Sequence, residues 1–176
     1  MKRNIIPIII FSGLLLFFAG CIWKYSPRPG TIPPHIKSVA IDETKNNTAE
    51  FNLDQNFTIL LTDKMQLDNI LPLSDVSVSH SIIYTELKNI QDAVYSYDET
   101  EIVKEYRLTL RLNFRWYDTV NEKNIMEKTL SEYEIYYSDQ YNSTLATDDQ
   151  VTRELALDRL LDKLAEKVLV ELTSQW

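Results

Sequence analysis

The stretch Glu105-Tyr106-Arg107-Leu108-Thr109-Leu110-Arg111-Leu112-Asn113-Phe114-Arg115-Trp116-Tyr117 decides the fold of this chain. Its even positions, Tyr106, Leu108, Leu110, Leu112, Phe114 and Trp116, are all apolar, and its odd positions are polar or aromatic. A period of two puts the two sets on opposite faces of a strand, whereas a helix would scatter both around its axis. One face must therefore be buried beneath another layer, and the other is left for water or a partner. Arg107, Arg111 and Arg115 stand on that second face, successive arginines being four residues, or about 13 Å, apart at roughly 3.3 Å per residue. Planar guanidinium groups clamp phosphate and carboxylate bidentately, so the row is a candidate anion site. The alternative is that each arginine pairs with a glutamate on the neighbouring strand.

Residues 126–137 read as the next strand. Met126 and Leu130 are even, whereas Tyr133, Ile135 and Tyr137 are odd. A β-bulge near Ser131 and Glu132 would reconcile the two halves, with Glu127, Glu132 and Glu134 on a solvated face. Residues 76–85 alternate Val76, Val78, Ile82 and Tyr84 with serine and threonine, which predicts a further strand. Residues 36–41 predict a short first strand, followed by a polar turn over 42–48. Leu53, Phe57, Leu60, Leu61 and Met65 recur at helical spacing, which predicts a helix over 53–66 with Asn52 as N-cap. Thr147-Asp148-Asp149-Gln150 matches a capping box. The helix it would open carries the stripe Leu157, Leu161, Leu164, Val168 and Leu172 and closes at Trp176. The order β-α-β-β-β-α predicts an α+β two-layer sandwich. Its four-stranded, mainly antiparallel sheet is covered on one face by two helices, with Leu110 and Leu112 beneath Leu161 and Leu164.

The N-terminal end carries a different signal. Lys2 and Arg3 precede a 15-residue apolar run, Ile5 to Ala19, which ends at Ala19-Gly20-Cys21. That run is shorter than the roughly 20 residues a spanning helix needs, and its charge, core and small-residue end are those of an export signal. Cys21 at the cleavage point resembles a bacterial lipobox, with Phe18 where leucine is usual. Acylation of its thiol would anchor the chain to a membrane. Ile22 in place of an aspartate removes the usual inner-membrane retention signal and points to the outer membrane. Residues 1–20 are thus expected to be a lipoprotein signal peptide and 21–34, with four prolines, a lipidated stiff tether. Residues 35–176 are expected to form a single domain. Cleavage removes Lys2 and Arg3 and leaves 16 basic and 26 acidic residues, a formal charge of −10. Such a surface repels nucleic acid.

Little of the sequence points to catalysis. The two histidines, His35 and His80, have no second histidine or cysteine at metal-ligand spacing. Cys21 is the only cysteine, so it has no disulfide partner in the chain. A Gly-x-Ser-x-Gly elbow is absent, and 3 glycines cannot supply phosphate-cradling loops. The expectation is no enzyme, no cofactor and no metal.

Gly30-Thr31-Ile32-Pro33-Pro34, running into the first strand through Ile41, resembles the opening of the mature domain in the lipopolysaccharide-assembly lipoproteins, the LptE family. Asn46-Asn47-Thr48-Ala49-Glu50, Glu127-Lys128-Thr129 and the terminal helix closing at Trp176 continue the likeness, which covers about Gly30 to Trp176. The compact segment between Leu67 and Val76, with Pro72, departs from the family's longer linker. The resemblance implies a domain seated inside a large outer-membrane β-barrel, the translocon LptD, which it plugs and supports while contacting lipopolysaccharide. It also implies that Arg107, Arg111 and Arg115 meet lipid A or core phosphates, or the barrel lumen. Two alternatives stand beside it. One is a free-standing outer-membrane lipoprotein that scaffolds another envelope complex. The other is a periplasmic enzyme or small-ligand carrier with a pocket between helices and sheet.

Overall fold

Three long strands carry the molecule: β3 (Ser81–Tyr97), β4 (Val103–Asp118) and β5 (Lys123–Tyr137), each antiparallel to the next. The computed structural model describes residues 32–174. Two short strands, β1 (Ala40–Ile41) and β2 (Lys45–Asn46), run parallel to β3 along its outer edge. Helices α1 (Leu53–Asp68) and α3 (Arg153–Ser174) cover one sheet face. A single turn of helix, α2 (Asp139–Asn142), and a 3-10 turn (Thr147–Asp149) lie between β5 and α3. The α+β architecture with two helices on a mostly antiparallel sheet is the one the pattern predicts, with one more short strand.

The core follows the parity of β4. Leu108, Leu110, Leu112, Phe114 and Trp116 are fully buried, packed with Phe57, Leu61 and Met65 of α1 and Leu160, Leu164 and Val168 of α3. Each such side chain contributes about 1.5–3 kcal/mol by leaving water, so this one strand organises much of the apolar energy. Leu157 is only half-buried; the helix stripe is centred instead on Leu160, Leu161, Leu164 and Val168.

Several expected boundaries are corrected. The first strand is reduced from 36–41 to two residues, and the expected turn over 42–48 contains β2. Between them Thr44 turns inward, its hydroxyl 2.7 Å from that of Thr85 and 2.9 Å from that of Thr58. A knot of three threonines, Thr44 and Thr85 buried and Thr58 half-buried, thus interrupts the ladder. Asn52 is not a side-chain cap; it takes a left-handed conformation (φ 60°), which asparagine tolerates, and its carbonyl accepts from the Asn56 N–H. Val76 and Val78 lie in an exposed turn, and the strand expected to begin there begins at Ser81. The compact linker holds the first segment in place instead: the Val39 N–H donates to the Pro72 carbonyl and the Ser74 N–H to that of Val39.

No bulge occurs at Ser131–Glu132. The β4–β5 register runs unbroken from Glu105–Tyr137 to Trp116–Met126 and shifts only between Trp116 and Tyr117. Glu132 and Glu134 therefore share the helix-covered face with Met126 and Leu130, and they are not a solvated row. They are tolerated there because α3 supplies Lys167 to Glu132 and Lys163 to Glu134, the latter at 2.6 Å. Partly exposed pairs of this kind are worth at most about 1 kcal/mol each; their consequence is to turn Tyr133, Ile135 and Tyr137 to the open face. The terminal helix starts later than the Thr147 box. Gln150 is extended (φ −72°, ψ 131°), and the Thr152 hydroxyl caps α3 by accepting from the Leu155 N–H at 3.2 Å. The buried Asn142 amide, unread in the sequence, bonds Tyr137 and Val151 and holds this connection. Trp176 lies outside the described residues.

Candidate functional site

The open face of the sheet brings Arg107, Arg111 and Arg115 together in one row on β4, about 26 Å from first to last at 3.3 Å per residue. Their neighbours follow from register. Arg115 stands between Tyr84 and Glu127, Arg111 between Asn89 and Ser131, and Arg107 between Ala93 and Ile135. Arg107 and Arg111 are exposed and Arg115 is half-buried. The Arg115 guanidinium lies 4.3 Å from the Tyr84 ring centre and 6.0 Å from that of Tyr117; that of Arg107 lies 5.9 Å from Tyr133. Such stacking fixes a guanidinium's plane and leaves its charge unneutralised.

Cross-strand glutamates do not neutralise the row. Among the described residues none of the three arginines has a carboxylate oxygen within 4.0 Å. Glu127, opposite Arg115, instead accepts from the Asn124 amide at 3.0 Å, and Asn113 pairs with Thr129. Arg153 shows what a structural arginine looks like in the same molecule. Its guanidinium donates to Glu50 at 2.7 Å and to both oxygens of Asp92 at 3.1 Å, while the Tyr136 hydroxyl donates to Asp92 at 2.8 Å. Those carboxylates hold Arg153 firmly charged, and burial, with Asp92 beside it, pushes the Tyr136 phenol far up. This joint fastens α3 to β3 and escaped the sequence reading, since nothing in Arg153's local pattern separates it from the row. The tyrosines could have been found: keeping β5 in unbroken alternation puts Tyr133 beside the arginines.

At the Arg115 end, a cleft of about 220 Å³ is lined by Tyr84, Glu86, Arg115, Glu127 and Lys45. Its mixed charges suit a polar group with both donors and acceptors. Among the described residues no group of three or more His, Cys, Asp or Glu is placed to hold a metal ion, and no helix is long and apolar enough to cross a membrane. Both histidines serve the entry of the chain into the fold. His35 Nε2 is 2.6 Å from the buried Asp118 carboxylate, and His80 Nδ1 is 3.0 Å from the Ser38 hydroxyl.

Burial pushes the Asp118 carboxyl up, but hydrogen bonds from the Asn121 and His35 side chains and from the Asn121 and Val120 N–H groups overcome it, holding the group at about 2. A lowered carboxyl contributes stability that is present above its unfolded value near 4 and lost as pH falls through about 2. The protein is therefore expected to melt above its Asp118→Asn variant at pH 5, with the gap closing between pH 4 and 2. A gap independent of pH would contradict the assignment.

The model of the lipopolysaccharide-assembly family matches residues 36–172, which takes in the whole arginine row, all of α1 and all but the last two residues of α3. The chain belongs to this family, LptE. Solved structures share this chain's fold at low identity. A hypothetical protein from Chlamydia trachomatis has a TM-score of 0.55 at 9% identity, over 77% of this chain and 95% of that one. The PelC dodecamer from Paraburkholderia phytofirmans gives 0.52 at 12%, over 82% and 94%. A minor lipoprotein from Acinetobacter baumannii gives 0.51 at 12%, over 79% and 94%. At these identities the likeness concerns the fold alone. No curated protein sequence matches the chain.

Proposed function

We propose that this LptE-family chain is a lipid-anchored outer-membrane subunit of the lipopolysaccharide export translocon. In this reading Cys21, which lies outside the described residues, carries the acyl chains. Residues 1–20 are removed, 21–34 form the tether, and 35–176 form one domain seated in the lumen of the β-barrel LptD. The domain plugs and supports the barrel and presents Arg107, Arg111 and Arg115 to the phosphates of passing lipopolysaccharide; it catalyses nothing. The observation that carries the reading is a row of arginines that, among the described residues, has no carboxylate partners and no covering layer, in an otherwise acidic chain. Acidic surroundings repel phosphate and confine it to the row, and the polar interior of a large barrel suits a polar sheet face.

The test is co-isolation of the tagged full chain from detergent-solubilised outer membranes. One large barrel protein recovered in equal amount is the expected result; several soluble partners would favour a free-standing scaffold lipoprotein, and none a small-ligand carrier. Cys21→Ser is expected to leave the chain uncleaved or released from the membrane. Normal acylation and outer-membrane fractionation of that variant would overturn the anchor.

A further inference from the structure

The helix layer has a surface of its own, on the side of the molecule away from the arginines. Two hollows lie in the groove between α1 and α3. One, of about 350 Å³, is floored by Leu60 and Leu161 and edged by Asp63, Asp158 and Asp162; Ile59 stands at its lip, 61% exposed. The other, of about 370 Å³, is floored by Ile70 and Leu169 and edged by Asp68 and Glu166; Val170 stands at its lip, 56% exposed. Lys64 separates them, its ammonium 2.8 Å from Asp162 and 3.3 Å from Glu166. Five carboxylates thus face one ammonium along the groove. The lysines of α3 that could have balanced them, Lys163 and Lys167, are drawn to the opposite flank by Glu134 and Glu132.

We infer that this groove seats a basic amphipathic helix of a partner protein. The apolar hollows supply burial for aliphatic side chains, and the exposed Ile59 and Val170 are poised to lose water against them. The hollows are separated by eight residues of α3, Leu161 to Leu169, or about 12 Å of helix rise. Apolar side chains at i and i+7 or i+8 of a docked helix have that spacing, the usual geometry of a helix in a groove. The carboxylate edge selects among occupants. It repels an anionic membrane surface and opposes a second copy docked face to face, since the same acidic edge would meet itself; lysines or arginines flanking the apolar positions would be attracted.

The probe is a fluorescein-labelled peptide of about 18 residues, roughly five turns of helix. Leucines stand at i, i+4 and i+8 and lysines elsewhere, and the peptide is titrated into the full chain in non-ionic detergent and followed by anisotropy. Saturable binding is expected. It should be at least about tenfold tighter than for a scrambled peptide of the same composition, weaken as salt rises, and fall about tenfold in Ile59→Ser with Val170→Ser. Asp63→Lys with Asp158→Lys should weaken it as well, whereas Arg107→Glu with Arg111→Glu should leave it unchanged. That last variant separates this groove from the glycolipid face. Equal binding of the scrambled peptide, no saturable binding, or indifference to the groove substitutions in folded protein would overturn the inference. So would self-association or vesicle binding that disappears in Ile59→Ser with Val170→Ser, which would give the groove to a second copy or to lipid.

Discussion

Leu110→Ala is expected to lower the melting temperature by about 10 °C. Leu110 is fully buried on β4, and its register partners, Ile90 and Glu132, keep it under the helix layer. Truncating a leucine in such a site costs about 2–5 kcal/mol, because the lost transfer energy is joined by a cavity that the surrounding side chains only partly fill. For a chain of this size each kcal/mol is worth roughly 2–4 °C, and the loss is a large part of the 5–15 kcal/mol that typically holds a domain together. Thr109→Ala, one residue away and on the open face, is expected to change stability by no more than about 0.5 kcal/mol. The contrast between adjacent positions isolates face from location. Equal effects of the two substitutions, or a Leu110→Ala melting point within about a degree of the parent, would mean that the alternation of this strand does not set the core.

That alternation was legible because β4 is the central strand, paired on both sides, with an unbroken alternation of its own and a covered face that is apolar from Tyr106 to Trp116. Its neighbours read less well for identifiable reasons. The second half of β3 runs Lys88 to Tyr97, and register shifts after Leu87, Val94 and Ser96 break its period of two, so the strand's continuation past Thr85 looks like a loop. From Met126 to Tyr137 β5 keeps unbroken alternation beside β4 but carries Glu132 and Glu134 on the core side, where long-range lysines from α3 make them acceptable. A charge whose partner lies 29 or 35 residues away looks solvent-exposed in sequence, and the bulge expected at Ser131–Glu132 was the consequence. Thr152 took the cap from Thr147 because the Asn142 amide pins Val151 and delays the helix. Of the site, the arginines and the face they share were legible. Their freedom from cross-strand glutamates and the stacking on Tyr84, Tyr117 and Tyr133 depend on register and appear only in three dimensions.

Arg107→Glu combined with Arg111→Glu is expected to weaken lipopolysaccharide binding by two orders of magnitude or more. A hydrogen bond to a charged group contributes about 1.5–3 kcal/mol, and each 1.4 kcal/mol is a factor of ten, so two independent contacts reach that range. These two positions are the cleaner choice because both side chains are exposed. Arg115 is also packed between Tyr84 and Tyr117, so its replacement mixes lost charge with lost packing. Reversal at Arg107 and Arg111 meets no neighbouring carboxylate in an ion pair and should leave the fold intact.

The most direct measurement is therefore the affinity of the full chain for lipopolysaccharide, with and without this double substitution, circular dichroism serving as the folding control. The expected result is a folded variant whose affinity falls by about a hundredfold or more, with the parent's binding weakening as salt rises. A folded double variant that binds lipopolysaccharide as tightly as the parent would contradict it.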